Sequence, residues 1–243
     1  MPSAWALKPP IFALMDVDRL EFGDDFEGSI DAVAWPQRLK WIDFGANSRF
    51  NQAIHLVQWP ASLRQIAFGR SFNQPIERVS WPSSLESLLM LDLGEAFDCP
   101  IEDVAWPTSL QNLTFGLMFS QPIERAKFPA SLRLLDFGGD FNKLIEDVVW
   151  PASLQHLTFG QFFDQPIKQA KFPAWLQQLT LKAEFNQPIE DVLRPDSLQK
   201  LVLGLLFNQP VHNVRWPDSL QELDLGQLFN QPVHNVRWPD SLQ

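Results

Sequence analysis

Apolar residues recur along this chain in fixed registers that match neither a helix nor a plain alternating strand. Leu110, Leu113 and Phe115 stand at i, i+3 and i+5, and Ile123, Ala126 and Phe128 repeat those offsets thirteen residues later. The i+3, i+5 pair is a strand alternation, and the i, i+3 step spans a bend leading into it. Each such stretch predicts two short extended limbs joined by two turns. Gly116 is placed for the turn after the first limb, where a positive φ is expected. Pro107 suits the turn after the second, because proline fixes φ and stops a helix. No window keeps helical spacing beyond about one turn.

The pattern has a long period. A Trp-Pro dipeptide or its equivalent begins at Trp35, Trp59, Trp81, Trp106, Phe128, Trp150, Phe172, Arg194, Trp216 and Trp238, with spacings of 24, 22, 25 and then 22 throughout. These positions define nine full units over 35–237, a degenerate first unit over 14–34 and a truncated one over 238–243, after an N-terminal segment 1–13. The apolar positions form columns, among them Leu63, Leu110, Leu132 and Leu154, and Phe50, Phe72, Phe97 and Phe119. One unit cannot bury its apolar positions alone, but stacked units can, with equivalent side chains landing on each other at about 4.8 Å. The expected fold is all-β: one parallel β-solenoid over 14–243, built of ~22-residue coils with two short extended limbs each, with little or no helix.

This repeat accounts for an unusual composition of 20 Phe, 10 Trp, 20 Pro, 11 Gly and no Tyr in 243 residues. Ten Phe and seven Trp fall in two columns, seventeen Pro and nine Gly mark turns, and tyrosine is excluded because a dry stack offers its hydroxyl no partner. The Asn of the recurring Phe-Asn-Gln-Pro turn (Asn51, Asn73, Asn142, Asn186, Asn208, Asn230) is expected to bond backbone groups of neighbouring turns. A net charge of −10 argues against nucleic-acid binding, which needs a basic face. The N-terminus lacks a basic region before its short apolar stretch, no window is long and apolar enough to span a membrane, and Cys99 is the sole cysteine, so a cytoplasmic location is expected.

The unit Leu-x-x-Leu-x-Phe-Gly-x-x-Phe-Asn-Gln-Pro-Ile, clearest at Phe72-Asn73-Gln74-Pro75-Ile76 and Phe185-Asn186-Gln187-Pro188-Ile189, resembles the FNIP repeat family, a relative of leucine-rich repeats. The resemblance covers about residues 14–243. It implies a leucine-rich-repeat-like solenoid that mediates protein interactions, and it supplies no catalytic residues. Trp-Pro stands here where many members look like Leu-Pro, which deepens the core.

Candidate functional residues lie between the core columns. The first limb presents one outward column of Trp41, Gln65, Met90, Asn112, Leu134, His156, Gln178, Lys200 and Glu222, varied over a nearly constant core, and this is the expected binding face. A second outward column runs Asp43, Ala67, Asp92, Thr114, Asp136, Thr158, Thr180, Val202 and Asp224; its threonines are interrupted and unpaired, which argues against an ice-binding array. On the second limb, Glu77, Glu102, Glu124, Glu146 and Glu190 adjoin a column reading Arg78, Asp103, Arg125, Asp147 and later Asp191. The alternating signs predict a ladder of cross-strand neighbours, with an acidic stripe that steers a basic partner as the sharper reading.

No metal, cofactor or catalytic set is expected. His212 and His234 recur one unit apart in a duplicated segment and fall short of the four ligands zinc takes. Cys99 has no His at a telling spacing. The unit from Trp81 carries three extra residues around Leu88 to Leu91, which predicts an outward bulge at Leu89 and Met90. Lys182 in the glycine column and Arg194 in the tryptophan column predict a weakened stretch over 182–194. Residues 206–221 and 228–243 are identical, and the sequence ends mid-unit, so it is expected either to be a fragment or to pair end to end with another molecule through an uncapped edge. The reading is a non-catalytic protein–protein interaction scaffold; the alternatives are a passive expanded repeat array and an enzyme with an acidic surface site.

Overall fold

The computed structural model describes residues 16–82, 89–190, 192 and 195–243. Segment 1–13, Leu85, Leu88, Asp191 and Arg194 lie outside the described residues. Ten strands form one sheet in chain order: β1 Arg19–Glu21, β2 Trp41–Asp43, β3 Gln65–Ala67, β4 Met90–Asp92, β5 Asn112–Thr114, β6 Leu134–Asp136, β7 His156–Phe159, β8 Gln178–Leu181, β9 Lys200–Val202 and β10 Glu222–Asp224. Every neighbouring pair is parallel and in register, for example Trp41 against Gln65 and Asn112 against Leu134. The chain is a right-to-the-period β-solenoid, one strand per coil, with no helix among the described residues.

The core is the expected set of columns. Leu63, Leu110, Leu132, Leu154, Leu176, Leu198 and Leu220 are fully buried, as are Phe50, Phe72, Phe97, Phe119, Phe141, Phe163, Phe185 and Phe207. From Phe50 to Phe229, successive rings of the Phe column stack with centroids 6.1–6.3 Å apart. Within a coil, the strand's own Phe lies flat on the column, at 4.1 Å for Phe115 on Phe119. In the last coil Leu223, Leu225, Phe229 and Leu242 are only partly buried, having a neighbour on one side.

Three details differ from expectation. First, the coils of β3, β5 and β7 each have three β-turns. In the coil of β3 they are closed by Leu63 N–H to Pro60 O, Phe72 N–H to Gly69 O and Val79 N–H to Ile76 O, at 3.0, 3.3 and 3.2 Å. The second limb is therefore not a strand: the i, i+3 spacing of Ile76 and Val79 turns both inward across a β-turn. Second, Gly116 lacks the positive φ expected of it. Its Cα hydrogen faces the carbonyl oxygen of Gly94 in the coil below, and a Cβ there would overlap that oxygen. Positive φ belongs to other coils, such as Gly138 at 72°, whose N–H is held by Asp136 Oδ1 at 2.9 Å. Third, Leu89 and Met90 do not bulge. Both donate to Arg64 O, and Met90 pairs in register with Gln65; residues 83–88 lie outside the described residues. Nor does Lys182 interrupt the stack: β8 pairs with both β7 and β9, and Lys182 O accepts the turn bond from Phe185.

The Asn column works as a ladder. Asn186 Oδ1 accepts Asn208 N–H at 2.9 Å and Gln209 Nε2 at 3.1 Å, and Asp164 does the same for Asn186 and Gln187. A second ladder runs through the Pro-x-Ser turn, where Ser153 Oγ donates to Leu132 O and Ser219 Oγ to Leu198 O, both at 2.7 Å. The Trp column is less well satisfied: buried Nε1 atoms of Trp35, Trp59, Trp81, Trp106 and Trp150 find no acceptor.

Two stability predictions follow from these columns. Asn186→Ala removes an acceptor of two bonds and is expected to cost about 1–3 kcal/mol, whereas Asn186→Asp should cost less, since Asp98 and Asp164 already serve in that column. Trp106→Phe loses ring area but also an unpaired buried N–H, as at Phe128 and Phe172, and is expected within about 1 kcal/mol of the native chain, against about 3–5 kcal/mol for Trp106→Ala. Urea unfolding followed by circular dichroism measures both pairs.

Candidate protein-binding face

Strand pairing sets the nine residues of the expected face side by side in one column, from Trp41 through Gln65, Met90, Asn112, Leu134, His156, Gln178 and Lys200 to Glu222, and adds Arg19 of β1 as a tenth member. Inward neighbours Ile42, Ile66, Leu91, Leu113 and Leu135 are buried, so the pleat turns these ten side chains outward. Trp41 and Met90 are 44% and 41% exposed, unusually open for large apolar groups. Arg19 lies over the Trp41 ring at 5.4 Å and pairs with Glu21. Lys200 pairs with Glu222.

Asp43, Asp92, Asp136 and Asp224 of the second outward column have a structural task, each accepting the N–H of the glycine two residues on at 2.8–2.9 Å. Their spacing is a signal the sequence reading passed over, because Asp two residues before glycine marks a coil whose glycine takes positive φ.

The acidic residues of the second limb are placed differently from expectation. Glu77, Arg78, Glu102, Asp103, Glu124, Arg125, Glu146 and Asp147 sit at the exposed tips of the third β-turn. Among the described residues, no ion pair joins Arg78, Asp103, Arg125 and Asp147. At a turn tip the side chains splay toward water, so the alternation of sign is not converted into contacts. Glu190 is half-buried, and Asp191 lies outside the described residues. Glu124, Glu146 and Asp147 line an open hollow of about 380 Å³ with Lys143 and Leu144.

His212 and His234 line another shallow hollow with Pro210, Asn213 and Gln231, and among the described residues no group of three or more His, Cys, Asp or Glu is placed to hold a metal. Cys99 takes over the ladder role of the usual Gln, its thiol donating to Asn73 Oδ1 at 3.2 Å. Burial, then the charges of Asp98 and Glu77, raises the thiol's pKa, the opposite of thiolate activation. Among the described residues no helix is long and apolar enough to cross a membrane.

The structure also exposes apolar groups that the sequence reading did not single out. Leu117, Met118, Phe162, Leu205 and Leu228 are exposed on the turns that follow the strands, separated by coils carrying Asp140 and Glu184 there. Trp175 is 69% exposed and replaces the turn serine, so its coil lacks the Ser-to-Leu bond. Trp175 departs from the serine usual in its column, which was the available clue; the others stand in columns with no usual type.

Asp92 differs electrostatically from the rest of the face. Although Asp92 is exposed at the surface, partial desolvation by its neighbouring coils raises its pKa above the ordinary carboxylate value, Asp43 and Asp136 add to the rise, and the Gly94 N–H opposes it. An ionised carboxyl with a raised folded-state pKa destabilises the fold at neutral pH, and that cost disappears as pH falls below the unfolded-state value. Asp92→Asn keeps an Oδ1 acceptor for Gly94. It is expected to raise the thermal midpoint at pH 7, with the gain shrinking toward zero as pH falls to about 3, as read by melts across pH.

The FNIP Repeat family model matches residues 50–90, 119–162 and 163–206. Among solved structures, CroV588, a circular LRR protein, is 44% identical with a TM-score of 0.80; the match covers 91% of this chain and 32% of that one. The chain thus spans about a third of the length of that protein. An internalin (inlF) from Listeria monocytogenes is 12% identical with a TM-score of 0.48, over 82% of this chain and 64% of its own. Among the curated proteins none matches. With more than half of its residues matched by that model and the repeat columns in register along the sheet, the chain belongs to the FNIP repeat family.

Proposed function

We propose that the chain is a non-catalytic protein-interaction scaffold that binds its partner across the outward face of the sheet. One observation carries this reading: over a core that repeats almost unchanged, the sheet presents a continuous column of differing side chains that includes exposed Trp41 and Met90. Large apolar groups left in water on a rigid surface favour burial by a partner, and tryptophan is among the residues that contribute most at interfaces. Exposed Leu117, Met118, Phe162, Leu205 and Leu228 add scattered apolar groups on the strand-exit turns beside this face. The partner is a protein with basic character, since Asp43, Asp92 and Asp136 border the face where Trp41, Met90 and Leu134 stand.

A variant with Trp41, Leu134 and His156 all changed to Ser tests the face. These side chains point outward, so the variant should fold with a native circular dichroism spectrum and lose most of its partner capture from the source cell. Undiminished capture by the folded variant would sink the assignment of the face, and no reproducible partner for the native chain would favour a passive array.

A further inference from the structure

Along the strand exits the outward residues alternate from coil to coil: Asp43, Ala67, Asp92, Thr114, Asp136. Two of the three carboxylates already hold a cation of this chain. Arg19 reaches Asp43 at 3.9 Å, and Lys182 reaches Asp136 at 3.8 Å. Arg19 shows the complete arrangement, a guanidinium lying over the outward aromatic two residues before the aspartate. Asp92 has the corresponding surroundings. Exposed Met90 stands two residues before it, as Trp41 does before Asp43, and small Ala67 and Thr114 flank it on β3 and β5. Among the described residues no ion pair reaches Asp92. The flanking small residues leave a gap about two strand spacings, or ~10 Å, wide.

Resting on the reading of this face as protein-binding, we propose that Asp92 and Met90 seat one Lys or Arg of a partner's amphipathic helix laid across the strands. The carboxylate takes the charge, and the Met90 thioether and Ala67 methyl take the aliphatic stem. A helix is the fitting element because of its repeat. Trp41 and Leu134 lie two strands to either side of Met90, about 10 Å away. Residues seven positions before and after a helix residue stand ~10.5 Å from it on the same side. The partner helix therefore carries a central cation with large apolar residues at seven positions on each side. An extended segment fails this match, since steps of three residues (~10 Å) fall on opposite faces.

The probes are three fluorescein-labelled, alanine-based helical peptides: one with a central Lys and Leu seven positions to either side, one with that Lys replaced by Gln, and one with the leucines moved to five positions. Anisotropy titration against the native chain should show the first binding at least tenfold more tightly than either other. Against Asp92→Asn, which keeps the Gly94 bond, the Lys and Gln peptides should bind within twofold of each other. An undiminished preference for Lys in Asp92→Asn overturns the seat, and so does the absence of binding by the first peptide to the native chain. Trp41→Ser with Leu134→Ser separates the two readings. If that variant loses the peptide while Asp92→Asn still prefers the Lys peptide, the face stands and the seat falls; if neither variant changes binding, both fall.

Discussion

Everything in this molecule depends on coils lying one strand spacing apart in strict register. At that distance a side chain's principal neighbour is its own counterpart in the next coil, so each position must suit stacking on itself. Phe and Leu do, and they make up the buried columns. Asn and Asp do, because one carboxamide or carboxylate oxygen can accept two donors from the next turn. Tyrosine does not, and it is absent from the chain. Tryptophan is tolerated with an N–H that finds no acceptor in at least five coils, so the area it buries outweighs an unpaired donor.

How far this could be read from sequence follows from the distances involved. Core columns, strand positions and the outward face were legible because each repeats at a fixed interval, and strand pairing then sets Trp41 through Glu222 in the expected line. The third turn was not, because an i, i+3 apolar pair such as Ile76 and Val79 serves a bend into a strand as well as a β-turn. The role of Gly116 was hidden for another reason. Its constraint comes from Gly94, 22 residues away in sequence and in contact only once the coils stack. The supposed bulge at Met90 failed because strand register is held by pairing on both sides, with Gln65 on β3 and Asn112 on β5.

For function, the same regularity separates two kinds of surface. The turn tips that carry Glu77, Glu102 and Glu124 project into water and make no contacts with one another, so their charges act as a diffuse field. The strand face holds its groups at a fixed pitch on a rigid backbone, so little backbone freedom is lost on binding. Lys182 and Arg19 illustrate how that pitch organises charge, each finding a carboxylate of the outward column from its own coil or another.

The Asn ladder has a consequence for how such a chain can change over generations. Each rung accepts from the coil above and donates to the coil below through the same atoms, as Asn186 does between Asp164 and Asn208. A whole unit gained or lost anywhere along a regular stretch therefore leaves no orphaned donor, and the array's length is free to vary as one does beads on a string. The rung at Ser120 is a break within the array. It bonds to Asp98 below, but among the described residues Asn142 makes no bond back to it. That gap marks a seam at which recombination between arrays would disturb the fewest polar contacts.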